Sequence, residues 1–239
     1  MRRVQNPNLE IIELAVTRLG ALAEEMVFVG GCATGLLITD VAAPPIRVTR
    51  DVDTIVQVAT LAEYLQLSDR LRQLGFREDT SEGAPLCRWI TQGVILDVMP
   101  TDGSILGFSN RWYAQAVEHA VRMALPSGKS IRMVSAPYFL ISKLEAFDGR
   151  GQGDYLMSHD IEDVVAVLDG RSELIDEVAA VDPRLVQVLA ERFDGLLQAR
   201  RFVESIPGHM PNDPISQGRV PLVVNRIKSL VKMPSLIGQ

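Results

Sequence analysis

The chain predicts a mixed α/β architecture of the α+β kind, a mixed sheet flanked by helices and followed by a helical carboxyl-terminal half. Three observations predict it. Met26-Val27-Phe28-Val29 is an apolar strand stopped by Gly30-Gly31, with a helical pattern opening directly afterwards. Asp51 to Val58 alternates with the two-residue rhythm of a strand, and further strand candidates follow as far as Val134. Beyond Pro137 the apolar residues recur at intervals of three and four, the rhythm of helices.

Taken in order, Ile11, Ile12, Leu14, Ala15, Leu19 and Leu22 form one apolar face over residues 8–25, which predicts an amphipathic helix packed on the sheet. The strand and glycine turn lead to a helix from Cys32 to Ile38. Residues 40–50 contain Pro44-Pro45 and read as a loop before the Asp51 strand. Leu61, Tyr64, Leu65, Leu67, Leu71 and Leu74 predict a helix, and Gly75 falls where a helix-ending glycine is favoured. Phe76 to Asp79, Leu86 to Ile90 and Val94 to Met99 are strand candidates. The last two are joined across Thr91-Gln92-Gly93 as a hairpin that sets Asp97 inside the sheet. Arg111 to Val121 reads as a helix, and Arg122 to Leu125 pairs with Ser130 to Val134 across Pro126-Ser127-Gly128-Lys129.

Helical periodicity then covers Tyr138 to Phe147, His159 to Leu168, Leu174 to Val181 and Leu185 to Val203, and Gly149-Arg150-Gly151-Gln152-Gly153 reads as a flexible loop beside the site. This gives a sheet domain over 1–135, a helical domain over 136–206 and a proline-punctuated basic tail over 207–239, with Arg219, Arg226, Lys228 and Lys232 against Asp213.

With 239 residues, 47% of them hydrophobic, the chain can bury a substantial core. Its net charge of −6 argues against a surface that coats nucleic acid uniformly, so any such contact must be focal. No apolar run approaches the roughly 20 residues that span a bilayer, and Met1 to Pro7 lacks the apolar stretch of a secretory signal, so no membrane is expected and the default compartment is the cytoplasm. Two cysteines, Cys32 and Cys87, have no metal-binding spacing.

The chemistry lies in Arg47-Val48-Thr49-Arg50-Asp51-Val52-Asp53. On a strand, residues two apart point to the same side, so Asp51 and Asp53 can share an ion and Asp97 can join them from a neighbouring strand. Three converging carboxylates repel one another, and hard divalent cations such as Mg²⁺ relieve that repulsion while keeping sites for phosphate oxygens. Two ions about 3.5–4 Å apart would clamp an in-line attack on phosphorus. Trp89, Trp112 and Cys87 read as packing, and His159 as a surface or capping residue.

Phe28-Val29-Gly30-Gly31-Cys32-Ala33, the Arg47 to Asp53 segment and Leu96-Asp97-Val98, in that order, resemble the nucleotidyltransferase superfamily pattern. More narrowly, Ser135 to Phe147, Arg150-Gly151 and His159-Asp160-Ile161-Glu162-Asp163-Val164 resemble the AbiEii/AbiGii toxin branch, whose members pair with antitoxins in bacterial type IV toxin–antitoxin systems. The resemblance implies a nucleotidyltransferase-like sheet, Mg²⁺ at a two-metal site, and transfer of a nucleotide from a nucleoside triphosphate to an acceptor such as tRNA. It implies that Asp51, Asp53 and Asp97 hold metal and carry catalysis, Asp97 also helping to deprotonate the acceptor. It implies nucleotide binding by Gly30, Gly31, Cys32, Arg47, Thr49, Lys143 and Asp160, and an antitoxin as partner. Cys32 departs from the serine or threonine common after the glycines, and a thiol is a weaker donor. Alternative acceptors are a small molecule, as in aminoglycoside nucleotidyltransferases, or a protein side chain; a catalytically silent binding module is a further alternative.

Overall fold

The protein, described as a computed structural model, is defined over residues 6–237; five residues of the segment read for a secretory signal and the last two of the tail lie outside the described residues. Helix α1 (Leu9–Leu19) buries Ile12, Ala15, Val16 and Leu19 on the expected face. It is shorter than its apolar pattern because Gly20 turns to a φ of 55°, and a 3-10 turn over Gly20–Glu25 carries the remaining apolar residues. Strand β1 (Met26–Val29), buried throughout, runs into α2 (Gly30–Leu37). After the loop come β2 (Asp51–Val56) and α3 (Leu61–Gln73). Thr60 and Glu63 close the start of α3 with a reciprocal capping box, and Gly75 follows its end at a φ of 84°.

Strands β3 (Arg77–Glu78), β4 (Arg88–Thr91) and β5 (Val94–Pro100) follow. Helix α4 (Tyr113–Glu118) is shorter than expected, since His119 leaves helical geometry and Val121 opens the next strand. Strands β6 (Val121–Ala124) and β7 (Ser130–Met133) form the expected hairpin. The seven strands found among the described residues make one mixed sheet in the order β3-β4-β5-β2-β1-β7-β6. Strand β2 pairs parallel with β5 and antiparallel with β1, which pairs parallel with β7. The central strands carry the core residues Phe28, Val52, Ile55, Leu96 and Val98.

Packing divides the chain into two compact units. The first, Asn6–Gly35 with Arg47–Ser142, contains the sheet; the second consists of Leu36–Ile46 and the described residues from Lys143 onward. Helix α5 (Ala136–Arg150) runs from the first into the second, which continues with α6 (His159–Gly170), α7 (Leu174–Ala179), α8 (Pro183–Gln198), α9 (Arg200–Ser205), α10 (Pro214–Gln217) and α11 (Val220–Ile237). The helical pattern from Leu185 to Val203 is two helices because Ala199 adopts an extended conformation between them.

The tail is folded. Two of its prolines mark helix starts, Pro214 opening α10 and Pro221 lying in the first turn of α11, where a missing N–H costs little, while Pro234 lies within α11. Helix α11 packs against α6, α7 and α8. Arg219 pairs with Asp169 and Asp40, at 2.8 and 2.7 Å, while Arg226 Nη1 donates at 2.7 Å to the carbonyls of both Leu168 and Asp169 at the end of α6. Those carbonyls lack helical partners of their own, so two of the tail's basic residues cap a helix.

Candidate active site

Strand register brings the carboxylates together. Asp53 stands opposite Asp97 in the parallel β2–β5 ladder, and Asp51, two residues earlier, emerges on the same face. Arg88 stands opposite Asp97 in the antiparallel β4–β5 ladder, so it joins them. Its guanidinium grips Asp97 with two bonds, Nε to Oδ1 and Nη2 to Oδ2, both 2.8 Å, and Nη2 also reaches Asp51 Oδ2 at 3.1 Å. The other Asp51 oxygen accepts from Thr49 Oγ1 at 2.6 Å. Hydrogen bonding to Asp97, followed by the charges of Asp97 and Asp51, raises the pKa of Arg88 against the opposing effect of burial.

Asp97 is only 7% exposed, as its place on an interior strand requires, whereas Asp51 and Asp53 are half-buried. The loop before β2 is held by Asn8, which is completely buried. Its Nδ2 donates to the Arg47 carbonyl at 3.1 Å and its Oδ1 accepts from the Thr49 amide at 2.9 Å. Arg47 and Thr49 are thereby fixed on the approach to Asp51.

The glycine pair lies against the same carboxylates. Gly30 has a φ of 68°, and a methyl group on it would overlap the Asp53 carboxylate. Two separate constraints, left-handed backbone and lack of space, exclude a side chain there. Gly31 is buried in the first turn of α2. Cys32 is also buried, and its thiol donates to the Val29 carbonyl at 3.2 Å. Asp51, Asp53, Asp97, Gly30, Gly31, Cys32, Arg47 and Thr49 are all placed in the sheet unit.

Arg88 is the residue that the sequence reading missed. The signal was present, because a hairpin that pairs Thr91 with Val94 puts Arg88 directly across from Asp97. The three carboxylates have the oxygen chemistry of a hard-cation site. With Arg88 seated on Asp51 and Asp97, no group of three histidine, cysteine, aspartate or glutamate side chains among the described residues is placed to hold an ion in this arrangement. The cation between Asp51 and Asp97 is a guanidinium.

The helical unit has its own charged cluster. Lys143 Nζ lies 3.1 Å from Asp160 and 2.7 Å from Asp163, and Arg150 forks onto Asp160 with bonds of 2.8 and 2.7 Å. Lys143 and both aspartates are buried, while the Arg150 side chain is 71% exposed. Burial disfavours the charged form of Asp160, but the bonds and charges from Arg150 and Lys143 outweigh it and hold the carboxyl below its ordinary range. The structure thus brings together Lys143 and Asp160 and adds Asp163, whose spacing of three from Asp160 on one helix was the available signal. Arg150, expected in a loop, is the last residue of α5.

The remaining chemistry-bearing residues behave as packing or surface. Trp89 and Cys87 are buried, and burial pushes the Cys87 thiol up to about 12. His159 is exposed and pairs with Glu162.

The structure resembles that of an antigenic nucleotidyltransferase-like protein from Paracoccidioides brasiliensis, at 20% identity over 85% of this chain and 93% of that one, with a TM-score of 0.50. The fold is nucleotidyltransferase-like. Two Helicobacter pylori proteins also align: one assigned as a nucleotidyltransferase, at 13% identity over 99% of this chain and 95% of that one, and JHP933, at 14% over 98% and 91%. Their TM-scores of 0.46 and 0.45 add nothing to the fold. No protein-family model and no curated protein matches the sequence. Among the described residues no helix is long and apolar enough to cross a membrane.

Proposed function

We propose that the chain is a nucleotidyltransferase that moves a nucleotide from a nucleoside triphosphate to an RNA acceptor, tRNA being the first candidate, as the toxin of a type IV toxin–antitoxin system. The observation that carries this reading is the convergence of Asp51, Asp53 and Asp97 on one face beside the side-chain-free Gly30, within a nucleotidyltransferase-like fold. Lack of a side chain at Gly30 lets the Asp53 carboxylate lie against the start of α2, whose backbone amides are the donors a triphosphate would take. Phosphoryl transfer asks a protein chiefly for positioning and charge neutralisation, which suits this set of residues. Mg²⁺ is the ion that the carboxylates would hold; when bound it would neutralise charge developing on the phosphoryl oxygens. Support for the toxin branch is the packing of Lys143 with Asp160 and Asp163, the residues on which that resemblance rests.

The test is incubation of the full chain with Mg²⁺, each α-labelled nucleoside triphosphate in turn and total cellular RNA, beside Asp53→Asn. Label in a tRNA-sized band is expected with the wild type, and the variant should lose at least about a hundredfold of it. Expression should arrest growth in a way that Asp53→Asn relieves. Label on protein alone, or equal harmlessness of both chains, overturns the RNA and toxin readings respectively.

A second acceptor class has its own support. The net charge is −6 and Arg219 and Arg226 are engaged in capping α6, a balance that suits a cationic small acceptor, as in aminoglycoside nucleotidyltransferases. Label transferred to such a compound and not to RNA would decide for it.

A further inference from the structure

We propose that Arg88 is a built-in competitor for the divalent cation: its guanidinium occupies the space that Asp51 and Asp97 would offer an ion, and it has to swing out before the site can load. The inference rests on reading these carboxylates as a metal site, and it concerns how that site is kept closed.

Each oxygen of Asp97 accepts a bond from Arg88, and the two oxygens of Asp51 are taken by Thr49 and Arg88. An arriving ion would meet carboxylate oxygens already turned to donors. The guanidinium also supplies one positive charge against three carboxylates, which lowers their mutual repulsion without metal. Such a seat is not permanent. The Arg88 side chain is 22% exposed, and Arg88 is the first residue of β4, next to the buried Cys87 and beyond it a stretch from Ser81 to Leu86 that is exposed except at the half-buried Ala84. Its backbone contribution to the sheet does not depend on where the guanidinium lies. A fork of this geometry belongs to arginine; lysine has a single charged atom and cannot grip both Asp97 oxygens and Asp51 in the same way.

A competitor inside the site lowers apparent ion affinity by the fraction of molecules in which it is seated. Removing it should therefore tighten binding, whereas removing a merely structural partner of Asp97 should leave binding unchanged or weaken it through loss of ligand geometry.

The experiment is Mn²⁺ titration of the full-length chain at constant ionic strength, read from the electron paramagnetic resonance signal of free Mn²⁺, on wild type, Arg88→Gln, Arg88→Ala, Arg88→Lys and the double variant Arg88→Gln with Asp51→Asn. Circular dichroism establishes that each is folded. Arg88→Gln should bind Mn²⁺ at least about tenfold more tightly than wild type, and Asp51→Asn should reverse the gain. Millimolar guanidinium, balanced against sodium, should weaken Mn²⁺ binding to Arg88→Ala and leave wild type unmoved, an effect of occupancy that general charge does not produce. Should Arg88→Gln fail to fold, Arg88→Lys carries the comparison and should still bind more tightly than wild type. Equal or weaker Mn²⁺ binding by the folded variants overturns the inference alone. Absence of Mn²⁺ binding in all folded chains overturns it together with the metal-dependent reading of the site.

Discussion

Gly30 and Asp53 are packed so closely that a methyl group on the glycine would lie within the aspartate's carboxylate. The contact is set by β1 and β2, which place Val29 opposite Asp53, and by the φ of 68° with which Gly30 leaves the strand. Gly30→Ala should thus fail on two counts. An L-residue in the left-handed region costs about 1–2 kcal/mol, and Asp53 must move to admit the methyl group. The expected outcome is a lower urea midpoint together with loss of nucleotide transfer. Unchanged transfer would mean that the position of Asp53 is immaterial to the activity.

Lys143 provides a sharper separation of structure from chemistry. Its ammonium is buried between Asp160 and Asp163, so Lys143→Met would take a buried cation from both carboxylates, Asp160 keeping its fork from the exposed Arg150. Breaking a buried ion pair by removing one partner costs about 3–5 kcal/mol. Equilibrium urea unfolding should show a loss of that order, and pairing Lys143→Met with Asp163→Asn should restore part of it. A stability change under about 1 kcal/mol, comparable to that of a surface pair, would show that the buried pairs add little and leave Lys143 to the chemistry.

The legible parts of this protein were those governed by local rules. Gly30-Gly31, Gly75 and the Thr91-Gln92-Gly93 turn announced where chain direction changes, and the i, i+2 rule placed Asp51 and Asp53 together. Register carried Asp97 to Asp53, although only the ladder fixes which residues face each other. Arg88 escaped because its meaning depends on the residue opposite it, nine positions away, and not on its own neighbours. The tail's helices were less legible, since prolines punctuate a sequence in loops and helix starts alike and only the structure shows Pro214 and Pro221 in first turns. Lys143 and Asp160 were legible as residues, but their mutual burial required the packing of α5 against α6 within the helical unit.

Acid should weaken the helical unit in two stages. His209 Nε2 donates to the Tyr155 carbonyl at 2.7 Å, and burial lowers the pKa of the ring from its ordinary 6.5. The unfolded chain takes up this proton at higher pH than the folded one, so the contribution is full above about 6.5 and is lost as pH falls through the folded value. Asp160 follows the same sign at lower pH: its depressed carboxyl keeps its charge when folded, and its contribution is lost as pH falls below about 4. Thermal midpoints should be flat near neutrality and then decline. His209→Gln, which retains a donor and cannot be protonated, should remove the upper decline and leave the lower one; an unaltered pH profile would rule out His209 as its source.

Arg226 decides whether the basic tail is a surface or a scaffold. Its Nη1 joins two carbonyls at the end of α6, and burial lowers its pKa against the pull of Asp169. Hydrogen bonds from a charged donor contribute about 1.5–3 kcal/mol, and Arg226→Ala would take the donor from the Leu168 carbonyl while the Asp169 carbonyl keeps its bond from Arg219 Nη2 at 3.0 Å. The expected result is a loss of stability of that size in urea unfolding. If RNA binds elsewhere on the chain, its affinity and the dependence of that affinity on salt should be unchanged, because a residue that touches no phosphate releases no counterion. A shallower salt dependence in the folded variant, with stability intact, would reverse the assignment and put Arg226 at the nucleic-acid contact.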